Sequence, residues 1–421
     1  MSRISPHLQR TLSFLALIVL AAPATLFAAE RSQYIVTYTV GFLPAEKAAD
    51  VTMEVRPDTG RASQFTFTMD PARYSRIEAD KGVSVDGDQV IWKVPEKGGN
   101  FRYRYGPIDH QRDGGGYDAR ITEDWTILRG DDLFPAAAVR LTKGADSRTR
   151  LHFKLPKGWT MVDTGFGRID HSDSFVVTNA ERAFDRPVGW IIAGKVGNRF
   201  ERIAGVELSV AAPKGSNMHR NDVVAMFTWV LPEMKRAFHT MPNKILIVGA
   251  DDPMWRGGLS GPNSIYLHSD RPLISGNYTS ALVHEMVHLV TRIHGKDGYD
   301  WIPEGLAEFY AVELIRRAGG MSDERYQKVG DFMQDWSKEI TTLRAENSTG
   351  KRTARAVLFF QELDAEIQEE TDDKRDLDDV TRLLIEKRSV DLDDLREASE
   401  SVAESELESF ESRLLLRTAR P

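Results

Sequence analysis

The chain has no cysteine among its 421 residues, which excludes disulfide scaffolds, thiolate metal sites, cysteine nucleophiles, iron–sulfur clusters and a lipidated N-terminal cysteine. It has no surplus of basic residues either. The 55 Lys and Arg against 63 Asp and Glu leave a formal charge of −8, and no basic stripe offers nucleic acid a track. Past the N-terminal segment no apolar run is long enough to cross a bilayer. With 41% apolar, 9% aromatic and 28% charged residues, the composition also excludes disordered, collagen-like and multi-span membrane chains.

The N-terminus carries Arg3, His7 and Arg10, then an uncharged stretch from Thr11 to Ala29 centred on FLALIVLAA. A positive start, a short apolar centre and small residues at Ala22–Ala24 and Ala28–Ala29 predict a signal segment over 1–29, hence a periplasmic or extracellular protein. An uncleaved membrane anchor is the alternative; Pro23 and the short apolar centre argue against it.

From residue 30 to 213 the pattern reads as strands. YIVTYTV (34–40), VTMEV (51–55), QFTFT (64–68), FRYRY (101–105), LHFKL (151–155) and VELSVAA (206–212) alternate or are β-branched. This predicts an all-β, antiparallel sandwich domain. DGGGYD (113–118) reads as a loop tip, since no helix follows it to cradle a phosphate. From 214 to 421 the pattern changes to a mixed α+β domain. ILIVGA (245–250) and SIYLH (264–268) are strands, and helical spacing recurs over 219–239, 279–294, 303–318, 323–344, 353–369, 376–387 and 391–416. Pro232 should kink or split the first of these helices. LDDV (377–380) and LDDL (392–395) open helical turns, and the acidity of this end reads as a solvated helical face.

One cluster carries chemistry: His284-Glu285-Met286-Val287-His288. On a helix, residues four apart share a face, so both imidazoles can turn towards one ion, with Glu285 beside them to hold the metal-bound water. The apolar neighbours Leu282, Val283, Val287, Leu289 and Val290 bury the segment, and Gly295 offers a stop after a helix running to 294. Catalytic Zn2+ needs a third protein ligand and an open position. His294 is one candidate, in which case the helix must break near Thr291. Glu304 is the other: Pro303 starts a second helix that can run back antiparallel and bring Glu304 level with the histidines. Glu308, one turn on, can accept the second ring N–H of a ligand histidine.

A His-Glu-x-x-His pair followed by Trp301-x-x-Glu304-Gly305 resembles the gluzincin metallopeptidases, the group that contains thermolysin, and is most similar to the glycyl aminopeptidase family. LFPAA (133–137), Gly257-Gly258-Leu259 and AVLFFQELDAEIQEE (356–370) followed by LDDV extend the resemblance over most of the chain. It implies a thermolysin-like catalytic domain, Zn2+ on His284, His288 and Glu304, Glu285 as general base, and peptides or proteins as substrates. Two departures stand out. Relatives that trim N-termini hold the substrate α-amine with a carboxylate where this chain has Ser260, which predicts cleavage that does not require a free N-terminus. Many relatives also carry an oxyanion-stabilising tyrosine just before the helix at 356–370, where this chain reads Gly350-Lys351-Arg352-Thr353; Arg352, Lys351 or Tyr326 is left to donate. A zinc-holding periplasmic binding or assembly module with weak turnover is therefore the rival reading, beside a metzincin-like peptidase using His294. The strand at Ser264–His268 is expected to pair with extended substrate, and His268 is read as a partly exposed strand histidine.

Overall fold

Strand Gln33–Leu43 buries every second residue, so Tyr34, Val36, Tyr38, Val40 and Phe42 point inward, as alternation along a half-buried strand requires. In the computed structural model, which describes residues 32–142, 144–178 and 184–415, this strand lies inside a seven-stranded sheet. The segment read as a signal lies outside the described residues. A four-stranded sheet, Ala137–Leu141, Ala62–Thr68, Gln89–Lys93 and Val83–Asp86 in that order, contributes to the same core. Phe67 of one layer stacks on Phe101 of the other with ring centroids 4.8 Å apart. The sandwich is not wholly antiparallel. Gln33–Gly41 pairs in parallel with Asp146–Lys154, a geometry that needs a long crossover and finds it in the roughly hundred residues between them.

A further sheet leads to the C-terminal half. Met161–Thr164, Trp190–Gly194 and Trp125–Arg129 lie side by side in a five-stranded sheet, and Ile127, Trp190 and Ile192 pack into a small core with Ala211, Leu246, Val248 and Tyr266. Those last residues belong to another five-stranded sheet, ordered Val196–Ile203, Val206–Pro213, Lys244–Ala250, Ser264–His268, Gly258–Gly261. Its three inner strands run parallel, and Lys244–Ala250 is buried at every position, as a central parallel strand is. The division expected after Pro213 thus falls inside one hydrogen-bonded sheet, because Val206–Pro213 pairs with Lys244–Ala250 across it.

Helices pack against this sheet and one another. Arg220–Phe238 runs unbroken through Pro232 rather than splitting. Trp301–Arg317 lies against Lys351–Glu370 so closely that a Cβ on Gly305 would stand 2.6 Å from Ala356 Cβ, which accounts for glycine in the Trp-x-x-Glu-Gly string. Leu377–Lys387 and Leu392–Ala403 each begin with a reciprocal capping box, Asp376 with Asp379 and Asp391 with Asp394. Two helices nearer the C-terminus end earlier than their spacing suggests. Asp323–Ser337 stops short of 344, and the last helix stops at Ala403, where Glu404 takes a left-handed conformation with φ of 57°. Among the described residues no helix is long and apolar enough to cross a membrane.

Candidate metal centre

The histidine-bearing helix spans Ala281–Thr291, capped by Ser280, whose hydroxyl accepts the Val283 N–H. Leu282, Val283, Met286, Val287, Leu289 and Val290 are buried, which turns His284, Glu285 and His288 to the remaining, half-open face. The helix ends three residues before its expected end. Arg292 turns left-handed, φ 51°, and the chain leaves through a two-residue strand, His294–Gly295, that pairs in parallel with Ser389–Val390. The break near Thr291 required by the His294 reading is therefore present, yet His294 does not join the cluster. Its backbone N–H is held 2.7 Å from the Arg388 carbonyl, and the residue stays exposed at the rim.

Glu304 does join. The helix Trp301–Arg317 brings its carboxylate to 3.4 Å from His284 Nε2 and 3.2 Å from His288 Nε2, and the two Nε2 atoms are 3.1 Å apart. Nitrogen and oxygen ligands at ~2.0–2.1 Å from a tetrahedral ion stand about 3.3 Å from each other, close to the separations here, which reach His284 from Glu304 Oε2 and His288 from Oε1. Two imidazoles and a carboxylate are also the donor set zinc favours. Glu308 Oε2 lies 2.9 Å from His284 Nδ1, on the far side of the ring. Burial disfavours the charged form of His284, but Glu304 and Glu308 outweigh it and push the metal-free imidazole up to about 10. Burial likewise opposes ionisation of Glu304, yet His284 and His288 hold its carboxyl at about 2.

Glu285 faces the sheet edge. Its Oε2 accepts the Ser260 backbone N–H at 2.8 Å, and Gly258 permits this approach, since a Cβ there would stand 3.3 Å from Glu285 Cγ. The edge strand is Gly258–Gly261; Ser264–His268, expected to grip substrate, is interior and has both backbone edges paired. His268 is buried rather than partly exposed, because its strand is covered on both sides. It lies away from the cluster, with Nε2 3.4 Å from Asp252 Oδ1.

Two cavities open beside the cluster. One of about 630 Å³ is lined by His284, Glu285, His288, Glu304, Ser260, Gly261 and three arginines, Arg129, Arg292 and Arg388. The other, about 370 Å³, is lined by His284, Glu304, Glu308, Phe332, Trp336, Ser348 and Thr353, among others. Neither Arg352 nor Tyr326 lines either cavity. Thr353 faces the second one, and Arg352, one residue earlier, is turned about 100° around the helix. The Tyr326 hydroxyl accepts from Gln361 Nε2 at 3.1 Å, and its ring lies under Arg316. Lys351 is paired with Glu339 at 2.8 Å. The Ser260–Glu285 contact and the Phe332–Trp336 pair were not singled out from sequence. The second had a readable signal, two aromatics four apart on a mostly polar helix.

No protein-family profile matches the chain, and no curated protein matches it by sequence. Solved structures do. It superposes on an aminopeptidase N family protein of Idiomarina loihiensis with a TM-score of 0.59 at 14% identity, over 84% of this chain and 70% of that one. An M1 zinc metallopeptidase of Deinococcus radiodurans, in a point-mutant form, gives 0.57 at 13% identity over 93% of this chain and 95% of that one. Aminopeptidase A of Legionella pneumophila, in complex with aspartic acid, gives 0.52 at 12% identity over 92% of this chain and 50% of that one. What is shared at these identities is the architecture: an N-terminal β-rich region and a helical C-terminal part in the α+β arrangement of the M1 zinc metallopeptidase structures.

Proposed function

We propose that the protein is a zinc-dependent metallopeptidase of gluzincin type, with the metal held by His284, His288 and Glu304. The carrying observation is the convergence of those three donors beside a glutamate that contacts a sheet edge. A zinc ion there supplies Lewis acidity towards a peptide carbonyl and acidifies its water. Glu308 accepts the Nδ1 proton of His284 and so fixes the tautomer that offers Nε2 to the metal. Glu285 is the general base. The Ser260 N–H orients one carboxylate oxygen, leaving the other to take a proton from the attacking water and pass it to the leaving amine. The edge strand Gly258–Gly261 pairs with the extended substrate backbone. Cleavage does not require a free N-terminus: Ser260, Arg129, Arg292 and Arg388 line the larger cavity, and among the described residues its carboxylates are Glu285 and Glu304 alone. A substrate α-ammonium there would meet guanidinium groups. The charge pattern of the N-terminal segment supports action outside the cytoplasm.

A second reading, a zinc-holding module with little turnover, draws support from Tyr326 and Arg352 lying away from both cavities. Comparing the parent with Glu285→Gln separates the two. Both forms should hold about one zinc per chain. The parent should cleave a peptide pool, and the variant should be slower by ~10²–10⁴-fold. A zinc-loaded parent that cleaves nothing favours the module; a variant as fast as the parent removes Glu285 as base. Matched peptides with free and acetylated N-termini should be cut alike, and loss of all turnover on acetylation would reject the endopeptidase assignment.

A further inference from the structure

The smaller cavity has a wall that the proposed chemistry does not use. Phe332 and Trp336, one helical turn apart on Asp323–Ser337, stack with centroids 5.7 Å apart and an interplanar angle of 24°. Both rings remain open to solvent, Phe332 at 42% and Trp336 at 39%. The rest of their helix is mostly polar, so the pair stands as an isolated apolar shelf, with buried Met333 beneath it. The shelf shares its cavity with the proposed metal ligands His284 and Glu304. The same cavity is lined by Asn277, Thr279, Ser348 and Thr353, which are uncharged, and among the described residues no lysine or arginine lines it. At about 370 Å³ the cavity exceeds the size of a phenyl or isobutyl group. A stacked aromatic pair held in water beside reactive groups gains by being covered, and an apolar or aromatic side chain covers it best.

We propose that Phe332, Met333 and Trp336 form a specificity subsite that receives a bulky apolar side chain, aromatic or branched aliphatic, of the residue next to the scissile bond. The inference rests on the metallopeptidase reading and names the substrate class: peptides with such a residue on one side of the cut. A peptide laid along the edge strand with its carbonyl at the histidine–glutamate cluster has this shelf in a different cavity from the arginine-lined one, and the cluster borders both. An acidic side chain would gain no counter-charge at the shelf, since the carboxylates there are Glu304 and Glu308.

The test uses the full-length, zinc-replete protein and peptides with one cleavable bond, in which the residue on either side is varied among Phe, Leu, Ala and Asp. The parent should favour Phe or Leu over Ala by ~10-fold or more in kcat/KM at one of the two positions, the scale expected for a filled apolar pocket. Trp336→Ala should reduce that ratio to near one, and Trp336→Phe should keep most of it. Binding of the Phe and Ala peptides to Glu285→Gln protein, followed by calorimetry, gives a readout independent of turnover. The Phe peptide should bind ~10-fold tighter, and the added substitution Trp336→Ala should remove the difference. If the parent cleaves peptides but Trp336→Ala keeps the full preference, the subsite is wrong and the peptidase reading stands. If nothing is cleaved, yet the Phe peptide binds tighter in a Trp336-dependent way, the shelf binds an apolar side chain but the peptidase reading fails, and the placement beside a scissile bond fails with it. Equal binding of both peptides together with no preference in turnover overturns the proposal.

Discussion

Breaking the ion pair between Lys244 and Asp163 should loosen the seam between the β-rich region and the mixed sheet that contains Lys244–Ala250. Asp163 lies on Met161–Thr164, and Lys244 is the first residue of the central strand Lys244–Ala250. The residues are 3% and 5% exposed, and Nζ donates to Oδ1 at 2.6 Å. Ser209, on the neighbouring strand Val206–Pro213, donates its hydroxyl to Oδ2 at 2.6 Å, so one carboxylate ties three strands from two sheets. Removing one partner of such a pair strands the other charge away from water and costs ~3–5 kcal/mol. Lys244→Met leaves Asp163 with Ser209 and with Arg168 at 3.7 Å, so the loss should lie at the low end, about 3 kcal/mol. Asp163→Leu leaves Lys244 with Glu207 at 3.7 Å and the Phe175 ring, centroid 5.5 Å away, and should cost about as much. The double variant strands no charge, so its loss should fall well below the sum of the single losses, with a coupling of ~3 kcal/mol. Urea unfolding of the parent, both single variants and the double variant, at one fixed zinc concentration, measures all four corners. If the double loss equals the sum of the single losses, the pair is not coupled and this account of the seam is wrong.

Two further outcomes concern the metal. Glu304→Ala should lose most of its zinc while His294→Ala keeps it, by metal analysis after dialysis; the reverse would hand the site to the exposed histidine. At pH 7 the metal-free His284 is charged, because its folded-state value is about 10. Only the neutral ring can bind metal, so zinc binding should release that proton, and the apparent affinity should rise about tenfold per pH unit from pH 7 towards 10. Calorimetry in buffers of different ionisation enthalpy counts the proton, and a count of zero rejects the pairing with Glu304 and Glu308.

The parts of the fold carried by local pattern are legible without coordinates. Alternation marks Gln33–Leu43, and helical spacing marks Arg220–Phe238 and Trp301–Arg317 to within about two residues. The two Asp-led helix starts are legible because a capping box is a local device. The trio is legible too, since i,i+4 spacing and a returning helix are geometric consequences of sequence. What escapes is set by distant partners. Trp190–Gly194, buried at all five positions, shows no alternation because it is covered on both faces. The helix end at Thr291 depends on a strand almost a hundred residues later, and the interior position of Ser264–His268 depends on Gly258–Gly261 folding back outside it. Arg352 and Thr353 are adjacent in sequence, but only the helix phase decides which of them faces the cavity.

The short pairing of His294–Gly295 with Ser389–Val390 also bears on the order in which the molecule is made. Lys296, just past it, donates to Asp391 at 2.8 Å and to Asp394 at 2.7 Å, joining the exit of the histidine helix to the start of a helix near the other end of the chain. A growing polypeptide that has reached Glu308 already contains all three donor residues and Glu308, but not the brace that fixes the far end of the helix bearing two of them. Synthesis must run some eighty residues further before that brace exists. A product truncated before Ser389 would therefore carry all three residues of the cluster and Glu308 without the pairing that holds the exit of the histidine helix.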